Sequence, residues 1–347
     1  MHLLLVTDAW FPQINGVVRT LSTVVETLRA DGHRVDMITP DRFPTVPLPS
    51  YPEIRLALMP GRRVAAQIDA ARPDAVHIAT EGPLGGAARR HCLRRGLPFT
   101  TSFHTKFPEY IRARIGLPVR WSYAWLRRFH APAERVMVAT PTIRRELAAW
   151  GIANTVLWSR GVDTDLFRPR PAGEAPLAMR ESRRPISLYT GRVAVEKNVA
   201  AFLDCPLEGT KVVIGDGPQA SALKSRYPDV RFLGAKHGED LARHFAAADL
   251  FVFPSRTDTF GLVMLEALAS GVPVAAYPVP GPLDVIADAP VGCLDESLER
   301  AAARALAIDR EACRAYALDF SWKRCADLFL SHLAPIPAAA RAPVTRA

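Results

Sequence analysis

An α/β fold of two doubly wound domains is what this sequence predicts, and three observations predict it. Short apolar runs alternate with amphipathic segments of helical period along most of the chain, the pattern of parallel sheets covered by helices on both faces. The 347 residues suit two domains of ordinary size, each able to bury its own core. The alternation gives way between Ser159 and Pro185, where proline and alanine accumulate as they do in a linker.

The first strand is the apolar run His2 to Asp8, followed by a loop from Ala9 to Gly16 and a helix from about Val17 to Ala30. Gly32-His33 turns the chain into a strand from Arg34 to Thr39. Prolines at 40, 44, 47, 49, 52 and 60 then predict an irregular stretch, because proline lacks the N–H that a helix or central strand uses. Strands Ala75 to Ala79 and Pro98 to Ser102 alternate with helices near Arg63 to Ala71 and Leu84 to Arg95. Strand Arg135 to Ala139, helix Thr142 to Trp150 and strand Thr155 to Trp158 end the first half. The second half opens with strand Ile186 to Thr190 and a helix near Val199 to Asp204. Strands Lys211 to Ile214, Arg231 to Leu233, Asp249 to Pro254 and Val272 to Ala276 follow, with helices Asp240 to Ala247 and about Phe260 to Ser270 among them. The expected division is residues 1–168, residues 169–315, closing helices over 316–333, and a disordered Ala/Pro-rich tail over 334–347.

Composition narrows the class of protein. With 49% hydrophobic and 23% charged residues the chain reads as globular and soluble, and no solenoid repeat is visible. The N-terminal apolar run meets Asp8 too soon for a signal peptide, and nowhere do about 18 apolar residues run uninterrupted, so a cytoplasmic protein is expected. Five cysteines without a Cys-x-x-Cys argue against a disulfide framework and a structural zinc site. The net charge of +9 fits nucleic acid, an anionic membrane or an anionic substrate. Against nucleic acid, the arginines are scattered through amphipathic helices, with neither an aromatic-studded basic strand nor a recognition-helix pattern. The segment Val119 to His130 mixes aromatic and basic residues at helical spacing. It fits a helix lying on an anionic membrane, and equally a helix that packs its aromatics inward.

Chemistry concentrates where strands meet helices. Ser255 to Ala267 joins an apolar strand to a helix through Asp258-Thr259-Phe260-Gly261-Leu262, with Glu266 two turns up. A glycine there lets a ligand approach the backbone, and the first-turn N–H groups attract anionic or polar groups. Asp258 and Glu266 bracket that turn, either as ligand-binding acids or as a helix cap and a solvated residue. Gly191-Arg192 to Lys197-Asn198 brings two cations to another strand-to-helix turn, as a diphosphate requires. Gly215-Asp216-Gly217-Pro218 is a further glycine turn, and Asn15-Gly16 opens the first helix as a ligand loop or a plain helix start. At the end of a first-half strand stands Phe103-His104-Thr105-Lys106-Phe107-Pro108-Glu109-Tyr110, where open α/β sheets place ligands.

These motifs together resemble the retaining glycosyltransferases of family 4. The resemblance spans roughly residues 3–333 and rests on the acid, Phe-Gly, Leu-Glu-Ala and Ser-Gly-x-Pro-Val pattern from Asp258 to Val274, on Gly-Arg-x-x-x-Glu-Lys-Asn from Gly191, and on the Phe-His-Thr segment. Asp258 replaces the glutamate of most members, and with Thr259-Phe260-Gly261 it resembles the GDP-mannose-dependent α-mannosyltransferase subgroup. The resemblance implies two Rossmann-like domains facing a cleft, the GT-B arrangement, with acceptor contacts in the first domain and closing helices that return to it. It implies that a hexose, mannose from GDP-mannose first, passes with retention from a nucleotide-sugar donor to an acceptor hydroxyl on a glycan or lipid. Glucose or sulfoquinovose from a UDP donor, and a nucleotide-sugar epimerase of the same fold, are the alternatives. His104 and Asp258 are implied as catalytic residues, and Gly16, Arg192 and Lys197 as diphosphate ligands. Glu266, Gly215 and Gly217 are implied at the ribose and nucleotide, and Asp258, Phe260, Gly261 and Leu262 at the donor sugar. Asn15-Gly16 and Pro278-Val279-Pro280-Gly281-Pro282 stand where the family has paired glycines. No metal and no cofactor are expected, since the one Asp-x-Asp, Asp163-Thr164-Asp165, falls at the domain crossover.

Overall fold

A computed structural model describes residues 1–13, 15–48, 51–286 and 288–341, with side chains for all of these except 51–53, 110, 113–115 and 341. The chain forms two units, Met1–Ser159 with Trp322–Ala347, and Arg160–Ser321. In the first, strands β1 (His2–Val6), β2 (Arg34–Ile38), β5 (Ala75–Ile78), β6 (Thr100–Phe103), β7 (Arg135–Val138) and β8 (Thr155–Leu157) make a parallel sheet ordered β2-β1-β5-β6-β7-β8. The order reverses beside β1, so the loops after β1 and β5 flank a crevice at the carboxyl edge, where such sheets bind ligands.

Both faces of this sheet are apolar, as its near-continuous hydrophobic strands require. Leu4 and Val6 of β1 enter a core with Val76, Ile78 and Phe103, while Leu3 and Leu5 pack on the other face with Leu21, Trp158 and Phe329. Phe329 belongs to the helix Trp322–His332, and burying it contributes about 1.5–3 kcal/mol towards holding the returning chain. The chain stays ordered beyond that helix. Ala334 and Ile336 are buried, and the Ile336 N–H donates to the Asp74 carbonyl at 2.7 Å, which corrects the expected disorder from residue 334 to 341. Residues 342–347 of that expected tail lie outside the described residues.

The second unit repeats the design with β9 (Ile186–Thr190), β10 (Thr210–Ile214), β11 (Arg231–Phe232), β12 (Leu250–Phe253), β13 (Val274–Ala276) and β14 (Gly292–Leu294) in the parallel order β11-β10-β9-β12-β13-β14. It begins at Arg160 rather than residue 169, because residues 160–168 are fastened to its own helices. Val162 donates to the Phe320 carbonyl, and the Arg314 guanidinium takes the carbonyls of Thr164, Phe167 and Ala269. The expected linker is likewise packed: Arg231 holds the carbonyls of Ala178 and Glu181, and Met179 is buried.

The proline-rich stretch is also more regular than its composition predicts. It forms an antiparallel pair, β3 (Thr45–Leu48) with β4 (Tyr51–Ala57). A two-stranded ribbon leaves one edge of each strand unpaired, and there a missing proline N–H costs nothing.

Candidate active site

In the second unit the two motifs that carry cations and acids are bound to one another. Lys197 ends a short 3-10 turn, Val195–Lys197, and its Nζ lies 2.5 Å from Asp258 Oδ1 in the loop after β12. Three further bonds lace the loops together: Asn198 Nδ2 donates to the Pro254 carbonyl at 3.1 Å, and the hydroxyls of Ser255 and Thr257 both donate to the Glu196 carbonyl at 3.3 Å. Asn198 reaches its partner from a left-handed conformation, φ 53°, which asparagine adopts more readily than most residues. Asp258 Oδ2 is buried and accepts no hydrogen bond from the described residues, so half of a charged group faces inward with acceptor capacity to spare.

The helix that follows runs Leu262–Ala269, shorter than the sequence predicts, because Gly261 at φ 85° is its cap. A Cβ there would come within 2.8 Å of Met264 and Phe253, so the position is closed to other residues. No side chain caps this helix start, and within its first turn the Met264 N–H donates to the Gly261 carbonyl at 3.0 Å. Phe260 is 6% exposed, its ring turned into the core, so what it offers a ligand is its backbone. Glu266 is 2% exposed within a helix that is otherwise apolar there, which excludes a solvated surface position. A carboxylate carried so deep is costly unless it is partnered.

The glycine turns pack on each other. A Cβ at Gly215 would fall 1.8 Å from the Gly191 carbonyl, and one at Gly217 2.5 Å from that of Val193. Backbone bonds from Gly191 to Ile214 and from Val193 to Asp216 close the contact. The Gly-Asp-Gly turn is therefore required by packing against the Gly191-Arg192 turn, whatever else it does. Tyr189, which the sequence reading did not single out, donates its hydroxyl to the Arg192 carbonyl at 2.7 Å. Burial, and then the carboxylates of Asp258 and Glu196, push its phenol well above the ordinary value, so it stays a hydrogen-bond donor.

In the first unit His104 follows β6 directly, and its ring lies edge-on to Trp158 at 5.7 Å between centroids. Beneath it the strand interior is polar. His77 is fully buried between the hydroxyls of Thr100 and Ser102, 2.9 Å from each, and burial lowers its pKa to about 3. His130 stands between Thr101 at 2.9 Å and Glu81 at 3.2 Å. Both pairs went unremarked in the sequence, where a histidine inside an apolar run carries no distinguishing signal. Tyr110, the last residue of the Phe-His-Thr segment, has no described side chain.

Gly16 begins the helix Gly16–Ala30, and Asn15 caps it by accepting from the amides of Val17 and Val18, both at 3.0 Å. Those two amides are engaged within the chain. Asp8, also buried, caps the helix Pro83–Arg95 through the amides of Leu84 and Gly85; burial raises its pKa against those hydrogen bonds. The loop between them carries Trp10 and Phe11 into a cavity of about 180 Å³, lined also by Gln13, Asp41, Phe43 and Arg55.

The helix Val119–His130 buries Tyr123, Leu126 and Phe129 and exposes Trp121 (61%) and Trp125 (53%), one turn apart and beside Arg120 and Arg128. Its aromatics thus divide between inside and outside. A cavity of about 400 Å³ at the opposite ends of β9 and β12 holds Arg184 and Arg310, but Arg184 is paired with Asp249 and Arg310 with the carbonyls of Ala246 and Ala248. Asp163 is spent on a turn, accepting from the amides of Asp165 and Leu166.

Comparison with known proteins identifies the family. The family model described as Glycosyltransferase Family 4 matches residues 14–166, and that of Glycosyl transferases group 1 matches residues 184–310. A GDP-mannose-dependent alpha-mannosyltransferase of Mycobacterium tuberculosis is 32% identical, over 94% of this chain and 95% of its own. A sulfoquinovosyl transferase of Arabidopsis thaliana is 30% identical, over 82% of this chain and 60% of its own. Among solved structures, sucrose-phosphate synthase from Thermosynechococcus elongatus superposes with a TM-score of 0.74 at 22% identity, covering 95% of this chain and 97% of its own. Anabaena HepE in complex with UDP-glucose gives 0.72 at 16% identity, covering 95% and 98%. The chain therefore belongs to glycosyltransferase family 4, near its GDP-mannose-dependent α-mannosyltransferases, and is a glycosyltransferase of the GT-B fold.

Proposed function

We propose that this glycosyltransferase moves mannose from GDP-mannose, with retention and without a divalent metal, to a hydroxyl of a glycan or glycolipid. The observation that carries the reading is the pairing of Lys197 with Asp258 at an uncapped helix start. Cation, acid and a helix start at one turn suit a ligand with a diphosphate at one end and sugar hydroxyls at the other. Lys197 and Arg192 stabilise the charge that gathers on the departing diphosphate, and Asp258 with the backbone of Phe260, Gly261 and Leu262 orients the sugar. Glu266 takes the ribose, Gly215 and Gly217 let the nucleotide approach, and Gly16 lies by the diphosphate. His104, at the end of β6, acts on the sugar during transfer. The names of the more similar relatives support mannose and GDP.

A UDP-sugar donor is the second reading, favoured by the relatives named as sulfoquinovosyl transferase and alpha-monoglucosyldiacylglycerol synthase. A thermal-shift panel of GDP, GDP-mannose, UDP and UDP-glucose separates the two. Stabilisation by GDP and GDP-mannose alone is expected; stabilisation by the uridine pair alone overturns the first reading.

The acceptor side of the proposal includes an anionic membrane surface, met by Trp121 and Trp125 with their neighbouring arginines. Exposed tryptophans beside arginines suit a headgroup layer, where one side is apolar and the other charged. No described helix is long and apolar enough to cross a membrane. Co-sedimentation with phosphatidylglycerol vesicles, lost in a Trp121→Ala, Trp125→Ala variant, is the expected result; equal recovery of both proteins in the supernatant would remove the membrane from the proposal.

A further inference from the structure

We propose that Asp258 discriminates between the sugar-nucleotide donor and the free nucleoside diphosphate, by holding a carboxylate against the lysine that either diphosphate must use. This inference rests on the donor site proposed above and adds a consequence of its geometry. Lys197 Nζ is 2.5 Å from Asp258 Oδ1, and Asn198, Ser255 and Thr257 hold the two loops so that this approach is built into the fold. An ammonium has three N–H groups and can hold a phosphate oxygen and a carboxylate together, but the two anions then stand close. Their repulsion is not the same for the two ligands.

A free nucleoside diphosphate ends in a phosphate monoester, which takes a second negative charge near neutral pH. In a sugar nucleotide that phosphate is esterified, so it keeps one charge, and the sugar brings hydroxyl donors to the acid. Asp258 has oxygen to receive them, since Oδ2 is buried and accepts no hydrogen bond from the described residues. The carboxylate is therefore a ligand for the intact donor and a like charge for the product. After transfer takes the sugar away, the same residue favours departure of the nucleotide.

The test is a calorimetric comparison of GDP and GDP-mannose, and of UDP and UDP-glucose, on the full chain and on Asp258→Asn, Lys197→Met and the double variant. Asparagine keeps the shape and removes the charge. The expected result is that Asp258→Asn binds the nucleoside diphosphate about tenfold more tightly while its affinity for the matching sugar nucleotide stays level or falls. The gain should shrink in the Lys197→Met background, where no ammonium draws the diphosphate up to the carboxylate. A merely structural role would weaken both ligands together. Loss of both, or an unchanged affinity for the free diphosphate in Asp258→Asn, overturns the inference. If only the uridine pair binds, the GDP-mannose reading fails while the discrimination is tested on UDP; if no nucleotide binds at all, both fall.

Discussion

The two units begin alike, with an apolar strand, a loop and a helix, yet they use the loop in opposite ways. After β1 the chain spends its polar groups on itself: Asn15 caps its own helix, and Asp8 caps the helix Pro83–Arg95. What remains at the surface is aromatic, with Phe11 exposed and Trp10 lining the cavity beside it. After β9 no side chain caps the first helical turn, the glycine turns pack backbone to backbone, and Arg192 and Lys197 are brought to one loop. One fold thus yields a neutral, aromatic strand end and a cationic one. Fold alone does not place a ligand; on the reading proposed above, the diphosphate goes to the loop that carries Arg192 and Lys197.

The sharpest way to break that contrast is to remove the cations. Lys197→Ala and Arg192→Ala should each lower the transfer rate about a hundredfold or more, the scale expected when one preorganised charge stabiliser is lost. EDTA should leave the initial rate nearly unchanged if, as proposed above, those cations take the place of a metal. Activity abolished by EDTA and restored by manganese would assign that work to an ion.

A second, smaller effect separates the units by step. His104→Ala should lower turnover about a hundredfold while GDP-mannose affinity stays within about twofold, since all the proposed donor ligands except Gly16 belong to the second unit. An equal loss in affinity would mean that the first unit holds the donor as well. Near-normal turnover would return His104 to a structural part against Trp158.

Most of the fold was legible because strand and helix periods are local properties. Ile186–Thr190 and Val199–Asp204 were read to the residue, and the remaining strands of the two large sheets that the reading named fell within two residues of their observed ends. What escaped depends on partners distant in sequence. Nothing near Val162 announces that Phe320 will bind it, so the unit boundary was placed nine residues late. The helix Phe107–Ile115 and the strand Gly292–Leu294 were not identified, being short and weakly periodic. At the site, residue types and spacing pointed to Asp258 and Lys197 separately, and their direct pairing required coordinates. The burial of Glu266 was equally hidden, because a glutamate two turns into a helix has the same local sequence whether it faces water or core.

Acid offers a way to follow the first unit alone. All six tryptophans, Trp10, Trp121, Trp125, Trp150, Trp158 and Trp322, belong to it, so tryptophan fluorescence reports its unfolding and not that of the second. His77 has its pKa lowered by burial from 6.5 to about 3. Below the ordinary value the unfolded chain takes up a proton that the folded chain refuses, so stability present above 6.5 is lost as pH falls towards 3. The limit is about 1.4 kcal/mol per pH unit for one proton. Asp8, whose pKa is raised, acts in the opposite sense and makes the loss shallower. Denaturant midpoints read by fluorescence should fall over this window, and His77→Gln should flatten the slope. A midpoint that ignores acid down to pH 4 would contradict a neutral, buried His77.

The smallest effect decides whether the two loops are as different as they look. Asn15→Ala removes the carboxamide oxygen that holds the amides of Val17 and Val18. As an ordinary helix cap it should cost about 1 kcal/mol of stability, visible as a lower denaturant midpoint of the tryptophan signal. If those amides serve only the helix, GDP affinity in the variant should stay within about twofold of the parent. The alternative is that a diphosphate takes them over from Asn15 when it binds beside Gly16. Freeing them beforehand would then remove a competitor, and GDP would bind the alanine variant more tightly by a factor comparable with the lost cap, about five- to tenfold. An unchanged affinity leaves the diphosphate with the cationic loop of the second unit, and a tightened one shows that the first unit's helix start shares it.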